Sequence, residues 1–227
     1  MEAGKQNIAF FDSESKVPGL SDWIEQLIAE STGKDGKGFL PIAIESMHAP
    51  VAGDAFKVSF SPDAASDLVV EAPLGAQFIL WEWVTSLISI PAQINPFDQP
   101  NVTEAKTRAL ALLEKWNNKL PSFTPTIDGV NLQIFSEVPV TDPVDAVSKF
   151  LAHQPHYIAI MAYLARGIDD EIVELRSLVA DASGAGTSFG WGPRFLHSTG
   201  QFHKGGTPNG AFIQITGDSP TDIEIPE

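Results

Sequence analysis

NIAFF (7–11), SDWIEQLIAEST (21–32) and GFLPIAIE (38–45) follow one another near the start of the chain, and their order decides the fold. The first and third are short apolar runs that read as strands, and the second has the spacing of an amphipathic helix. The alternation continues. DLVVEA (67–72) reads as a strand, GAQFILWEWVTSLI (75–88) as a buried helix and NVTEAKTRALALLEKW (101–116) as an amphipathic one. NLQIF (131–135) is a candidate strand and DPVDAVSKFLA (142–152) a helix. HYIAIMAYL (156–164) is a strand, DDEIVELRSLVADA (169–182) a helix, and GAFIQIT (210–216) a last strand. Short apolar strands alternating with helices predict an α/β fold, a three-layer αβα sandwich with a mainly parallel sheet. Such sheets bind ligands at the carboxyl ends of their strands. PSFTPTIDG (121–129) is the best candidate for a linker, but it does not divide the chain, and residues 1–227 read as one domain.

The 227 residues carry 29 acids against 14 Lys and Arg, a formal charge of −15. A nucleic-acid partner needs a positive field along its phosphates, so this balance argues against one. No apolar run approaches the roughly 20 residues of a membrane span. The opening MEAGKQNIAFFDSE lacks the apolar core of a secretory signal, and there is no Cys for a disulfide or thiolate metal site. The expected location is the cytoplasm. In so acidic a chain an anionic ligand is held only by local positive groups, so clusters of them are informative.

Three clusters stand out. In the first helix, Asp22 and Glu25 have the spacing of a capping box, which turns Glu25 toward solvent. Gln26 and Glu30 are four apart and share one face, at the edge of an apolar arc of Trp23, Ile24, Leu27 and Ile28. Glu30 also lies in the last turn, where the negative end of the helix dipole and partial burial raise a carboxylate pKa toward that of a general base. Equally, a Glu there can bond the loop that follows. In INPFDQPNVTEAK (94–106), Asn101 and Glu104 form a second capping pattern. Lys106 then falls inside the apolar stripe of Val102, Ala109, Leu113 and Trp116. It is either a cation held toward a cleft or a stem covering apolar surface with its head in water. In GWGPRFLHSTGQFHKGG (190–206), five Gly frame Arg194, His197, Ser198, Thr199, Gln201, His203 and Lys204. Glycines let backbone N–H groups approach an anion, so this run reads as a loop facing a small phosphorylated or hydroxylated ligand, or as a tightly packed turn. HSTGQFH has no third ligand at zinc spacing, and the run lacks the spacing of a nucleotide phosphate loop.

Together these segments resemble the glucose-6-phosphate isomerase family, in the form found in bifunctional transaldolase/isomerase proteins. EQLIAESTGK (25–34) resembles Q-x-x-x-E-S-x-G-K, NPFDQPNVTEAK (95–106) resembles F-D-Q-x-G-V-E-x-x-K, and GPRFLHSTGQFHKGG (192–206) resembles a segment of the bifunctional subgroup. The resemblance implies a C-terminal sugar-isomerase domain with a C-terminal extension. It implies interconversion of glucose 6-phosphate and fructose 6-phosphate without metal or organic cofactor. It makes Glu30 the catalytic base and Lys106 an active-site cation. Gln26 and Gln99 become substrate contacts, with Arg194, Ser198, Thr199, Gln201 and Lys204. The chain departs from the family at Asn101 and Thr103, where Gly and Glu are usual. It also has no His in PLGAQFILWEWVT (73–85), which leaves His197 or His203 as the acid that opens the sugar ring. Family members carry a preceding sugar-isomerase domain with much of the phosphate cradle, and they are dimers. The expected partners are therefore a sugar phosphate and either a second copy or an N-terminal half. A non-catalytic sugar-phosphate-binding module is the other reading.

Overall fold

A computed structural model describes residues 6–62, 66–98, 100–119, 121–218 and 221. In chain order, β1 (Asn7–Phe11) leads to α1 (Leu20–Thr32), β2 (Leu40–Ile44), β3 (Phe56–Ser59) and β4 (Leu68–Val69). Helices α2 (Leu74–Ala92) and α3 (Pro100–Lys115) follow, then a small hairpin of β5 (Ile127–Asp128) and β6 (Gln133–Ile134). The last part is α4 (Pro143–Ala152), β7 (Tyr157–Tyr163), α5 (Glu174–Ser183), β8 (Gly186–Trp191), α6 (Thr199–Gly205) and β9 (Gly210–Thr216). The main strands form two wholly parallel sheets, ordered β2-β1-β3-β4 and β8-β7-β9. The α/β class read from the sequence is therefore the fold.

The burial pattern explains the layers. In β1, Ile8 and Phe10 face α1 and α2, where they pack on Leu20, Ile24, Ile28 and Trp81. Phe10 meets Trp81 edge-on at 5.3 Å, a favoured aromatic geometry. The alternate residues Ala9 and Phe11 join Leu40, Ile42 and Ile44 of β2 in a second core. That core also takes Tyr157 and Ala159 of β7 and Phe202 of α6, and β2 lies alongside β8, so the two sheets share it. Ile158 and Ile160 point the other way, onto α4 and α5. The second sheet thus has helices on both faces. Arg176 of α5, 2% exposed, clamps the segment after β2. Its Nε donates to Glu45 Oε2 at 2.5 Å and its Nη2 to Glu45 Oε1 and the Pro50 carbonyl, both at 3.0 Å. Burial works against the Glu45 carboxylate, but hydrogen bonds from Arg176 and Ser177 outweigh it and lower its pKa.

Several expectations are corrected. The residues 75–88 are helical but not buried. α2 turns Gln77, Trp81, Thr85 and Ser89 to the protein and leaves Ile79, Trp83, Leu87 and Ile90 between 55% and 70% exposed. The stripe of α3 is also outward, with Leu110 and Leu113 exposed. The run 190–206 is not a loop: it finishes β8, passes through a short 3-10 turn (Arg194–His197) and forms α6. Sequence periodicity did not mark β3, β8 or α6. DLVVEA supplies only the two-residue β4. The capping box at Asp22 and Glu25 does not form. α1 is entered through Gly19 at φ 85°, and Asp12 Oδ2 accepts from the Ser21 N–H at 2.7 Å. Glu25, expected at the solvent face, is 4% exposed.

Candidate functional site

The three sequence clusters are fastened to one another. Lys34, just past the end of α1, is 1% exposed. Its ammonium donates to the Asn95 carbonyl at 2.8 Å, to Asp98 Oδ1 at 2.9 Å and to the Asp98 carbonyl. This bond from Lys34 is the main cause of a lowered Asp98 pKa. Gln201 in α6 donates from Nε2 to the Gly33 carbonyl at 2.8 Å and to Asn101 Oδ1 at 2.9 Å. α6 therefore touches both α1 and α3. Two glycines permit this approach. A Cβ on Gly33 would lie 2.3 Å from Phe202 Cα, and one on Gly205 would lie 2.3 Å from Asn101 Oδ1 and 2.6 Å from the Gly33 carbonyl.

At this junction Glu30 is half-buried and its pKa is raised. Desolvation is the largest cause. It is partly offset by a hydrogen bond from Gln26 and by the nearby charges of His197 and Lys204. A carboxylate thus sits near two basic side chains from the 190–206 run, with Gln26 one turn below it. His197 and Lys204 are exposed. Arg194 donates from Nη2 to the Asp22 carbonyl at 3.3 Å, with Nη1 3.6 Å from Asp22 Oδ1, and both side chains are largely in water.

The other expected site residues are placed differently. Ser198, Thr199 and Gln201 are buried, and Ser198 Oγ donates to the Phe195 carbonyl at 3.3 Å. They hold α6 in place and present little to solvent. His203 stacks on Tyr157, ring centroids 5.6 Å apart and planes 14° apart, with Nδ1 3.3 Å from Tyr157 Oη. Burial, with help from Lys204, pushes its pKa down to about 4, while burial pushes Tyr157 up to about 12. Lys106 is exposed on α3 and has no ion pair among the described residues. Gln99 lies outside the described residues.

Two groups escaped the sequence reading. Glu25 accepts only a 3.4 Å bond from the Ala43 N–H, and burial, followed by the Asp22 charge, raises its pKa to about 8. Its signal was the face Ser21, Glu25, Ile28, Thr32, whose small polar members are buried with it. Lys34 is the other, a cation between Gly33 and a Gly-rich turn. Two cavities lie away from Glu30: about 550 Å³ between α1, α2 and Pro96–Phe97, and about 400 Å³ near Asp54 and His156. Among the described residues no group of three His, Asp or Glu is placed to hold a metal ion, and no helix is long and apolar enough to cross a membrane. Comparison with protein-family models, with curated proteins and with solved structures finds no match.

Proposed function

We propose that the chain is an aldose–ketose isomerase domain acting on glucose 6-phosphate and fructose 6-phosphate. The observation that carries this reading is the joining of residues 25–34, 95–106 and 192–206 around a half-buried Glu30. These are the segments that resemble the glucose-6-phosphate isomerase family.

The chemistry fits the groups present. Isomerisation removes a proton from C2 of the open-chain aldose and adds one to O1, which gives a cis-enediol. Loss of the O2 proton and return of a proton to C1 then gives the ketose. Glu30 is the base that carries the proton between carbons, and desolvation makes its carboxylate a better acceptor. Gln26 orients it. Lys204 and Arg194 are exposed cations suited to the phosphate, and Lys106, with Gln99, supplies charge to the reacting oxygens. His197 is the ring-opening acid, because His203 carries no proton to give at neutral pH. Ser198, Thr199 and Gln201 act through the placement of α6. An N-terminal sugar-isomerase half would complete the phosphate cradle.

A coupled assay of fructose 6-phosphate conversion tests this, run on the chain alone and with such a half. Turnover abolished by Glu30→Gln supports the enzyme. Binding without turnover in both preparations supports the alternative, a sugar-phosphate-binding module, which the exposed and unpaired Lys106 favours.

A further inference from the structure

α2 is built inside out. Surface helices turn an apolar stripe to the core and a polar face to water. Here the face against the protein carries Gln77, Thr85 and Ser89 beside one aromatic, Trp81. The outward face carries Ile79 (58% exposed), Trp83 (65%), Leu87 (55%) and Ile90 (70%). At 100° per residue these four fall within about 80° of arc, centred about 180° from the buried face. The stripe is independent of the proposed catalytic site.

We propose that this face pairs with the same face of a second copy, two antiparallel α2 helices crossing at a two-fold axis near Val84 and Thr85. The first reason is the symmetry of the stripe. A two-fold contact needs a self-complementary surface, in which residue i meets j and j meets i. About that centre Ile79 lies opposite Ile90 of the other copy and Trp83 lies opposite Leu87, so apolar meets apolar along about 16 Å of helix. The second is area. With the neighbouring exposed Leu74, Phe78 and Leu80, the patch presents on the order of 800 Å², the share of one partner in a standard interface. The third is charge. Glu82 is the only charged residue in α2, so two acidic chains meet here without facing rows of carboxylates. A lipid surface is disfavoured for the same reason, because α2 offers no Lys or Arg to anionic headgroups. Beside the stripe, the 550 Å³ groove walled by Leu27, Trp83, Pro96 and Phe97 gives a socket for a large side chain of the other copy.

The test is sedimentation equilibrium of the full chain at tens of micromolar, with two sets of variants. The expected mass is twice the 24.4 kDa of one chain. Trp83→Glu should weaken association at least 100-fold, while Leu178→Glu on α5 leaves it unchanged. The chain has no cysteine, so Ile79→Cys and Ile90→Cys proteins, mixed and mildly oxidised, should cross-link to each other and neither to itself. The cross-link decides even if Trp83→Glu fails to fold. A mass of one chain, a dimer indifferent to Trp83→Glu, cross-linking of Ile90→Cys with itself, or association only after an N-terminal half is added would each overturn the proposal.

Discussion

Lys34 Nζ stands 2.9 Å from Asp98 Oδ1, with the lysine side chain 1% exposed and the aspartate side chain 53%. The same ammonium binds two backbone carbonyls of the 95–98 segment, so a buried cation pins that segment to the end of α1. Replacing Lys34 by Met keeps the apolar stem and removes all three bonds. We expect Tm to fall by about 5 °C, a loss typical of a few removed interactions in a chain of this size. Isomerase activity should fall with it, because residues 99–106 lose their anchor. Differential scanning calorimetry beside the coupled assay measures both.

Gly205 is required for a different reason. The clash of a Cβ with Asn101 Oδ1 and the Gly33 carbonyl means that Gly205→Ala must separate α6 from α1 or α3. Overpacking of this kind costs about 1–3 kcal/mol. Urea unfolding should show that loss. The same substitution at Gly53, where a Cβ meets open space, should be nearly neutral.

Glu25 predicts how stability depends on pH. Its pKa is about 8 in the fold against 4.5 for the free side chain, so the native state holds a proton that the unfolded chain has released between those values. The contribution is complete below about pH 4.5 and is lost as pH rises through 8. Glu25→Gln fixes the neutral form. It should leave stability at pH 4.5 close to wild type and raise it by roughly 2–4 kcal/mol at pH 8.5. Equal denaturation midpoints at both pH values would remove this account of Glu25.

His203 acts in the opposite sense. Its folded pKa of about 4 lies below the ordinary 6.5, so the unfolded chain takes up a proton first as pH falls. Stability from this group is complete above 6.5 and is lost on acidification toward 4. Wild type should therefore be nearly flat from pH 4.5 to 6.5, where the two slopes oppose, and should decline from 6.5 to 8. His203→Phe, which can still stack on Tyr157, should decline across the whole range.

The two histidines also separate functionally. His197→Ala should slow sugar-ring opening by at least ten-fold with little change in Tm, whereas His203→Ala should lower Tm first. Wild-type ring opening in both would leave the acid step without either residue.

The α/β class was legible because NIAFF, LPIAI and YIAIM are apolar runs between helical periods, which leaves few other folds. The elements that periodicity missed are the ones whose sequences do not carry it. β8 is GTSFGW, in which two glycines replace side chains. α6 is TGQFHKG, too short and too rich in Gly for helical propensity to speak, and it is held by Gln201 and by contact with α1. α2 misled in the other direction. A run so apolar reads as interior, yet it is exposed in the single chain. In the site, the i, i+4 pairing of Gln26 with Glu30 was readable from helix spacing, and the raised Glu30 pKa agrees with it. The burial of Glu25 and Lys34 was not, since each depends on segments that arrive from elsewhere: β2 in one case, residues 95–98 in the other.

The central claim is that Glu30 moves a proton between sugar carbons. Deuterium uptake at C1 of fructose 6-phosphate, followed by proton NMR in D₂O with the chain joined to an N-terminal sugar-isomerase half, measures that transfer directly. The account predicts uptake with wild type and a loss of at least a thousand-fold with Glu30→Gln, without loss of folding. Uptake undiminished in Glu30→Gln, or no uptake with wild type, would contradict it.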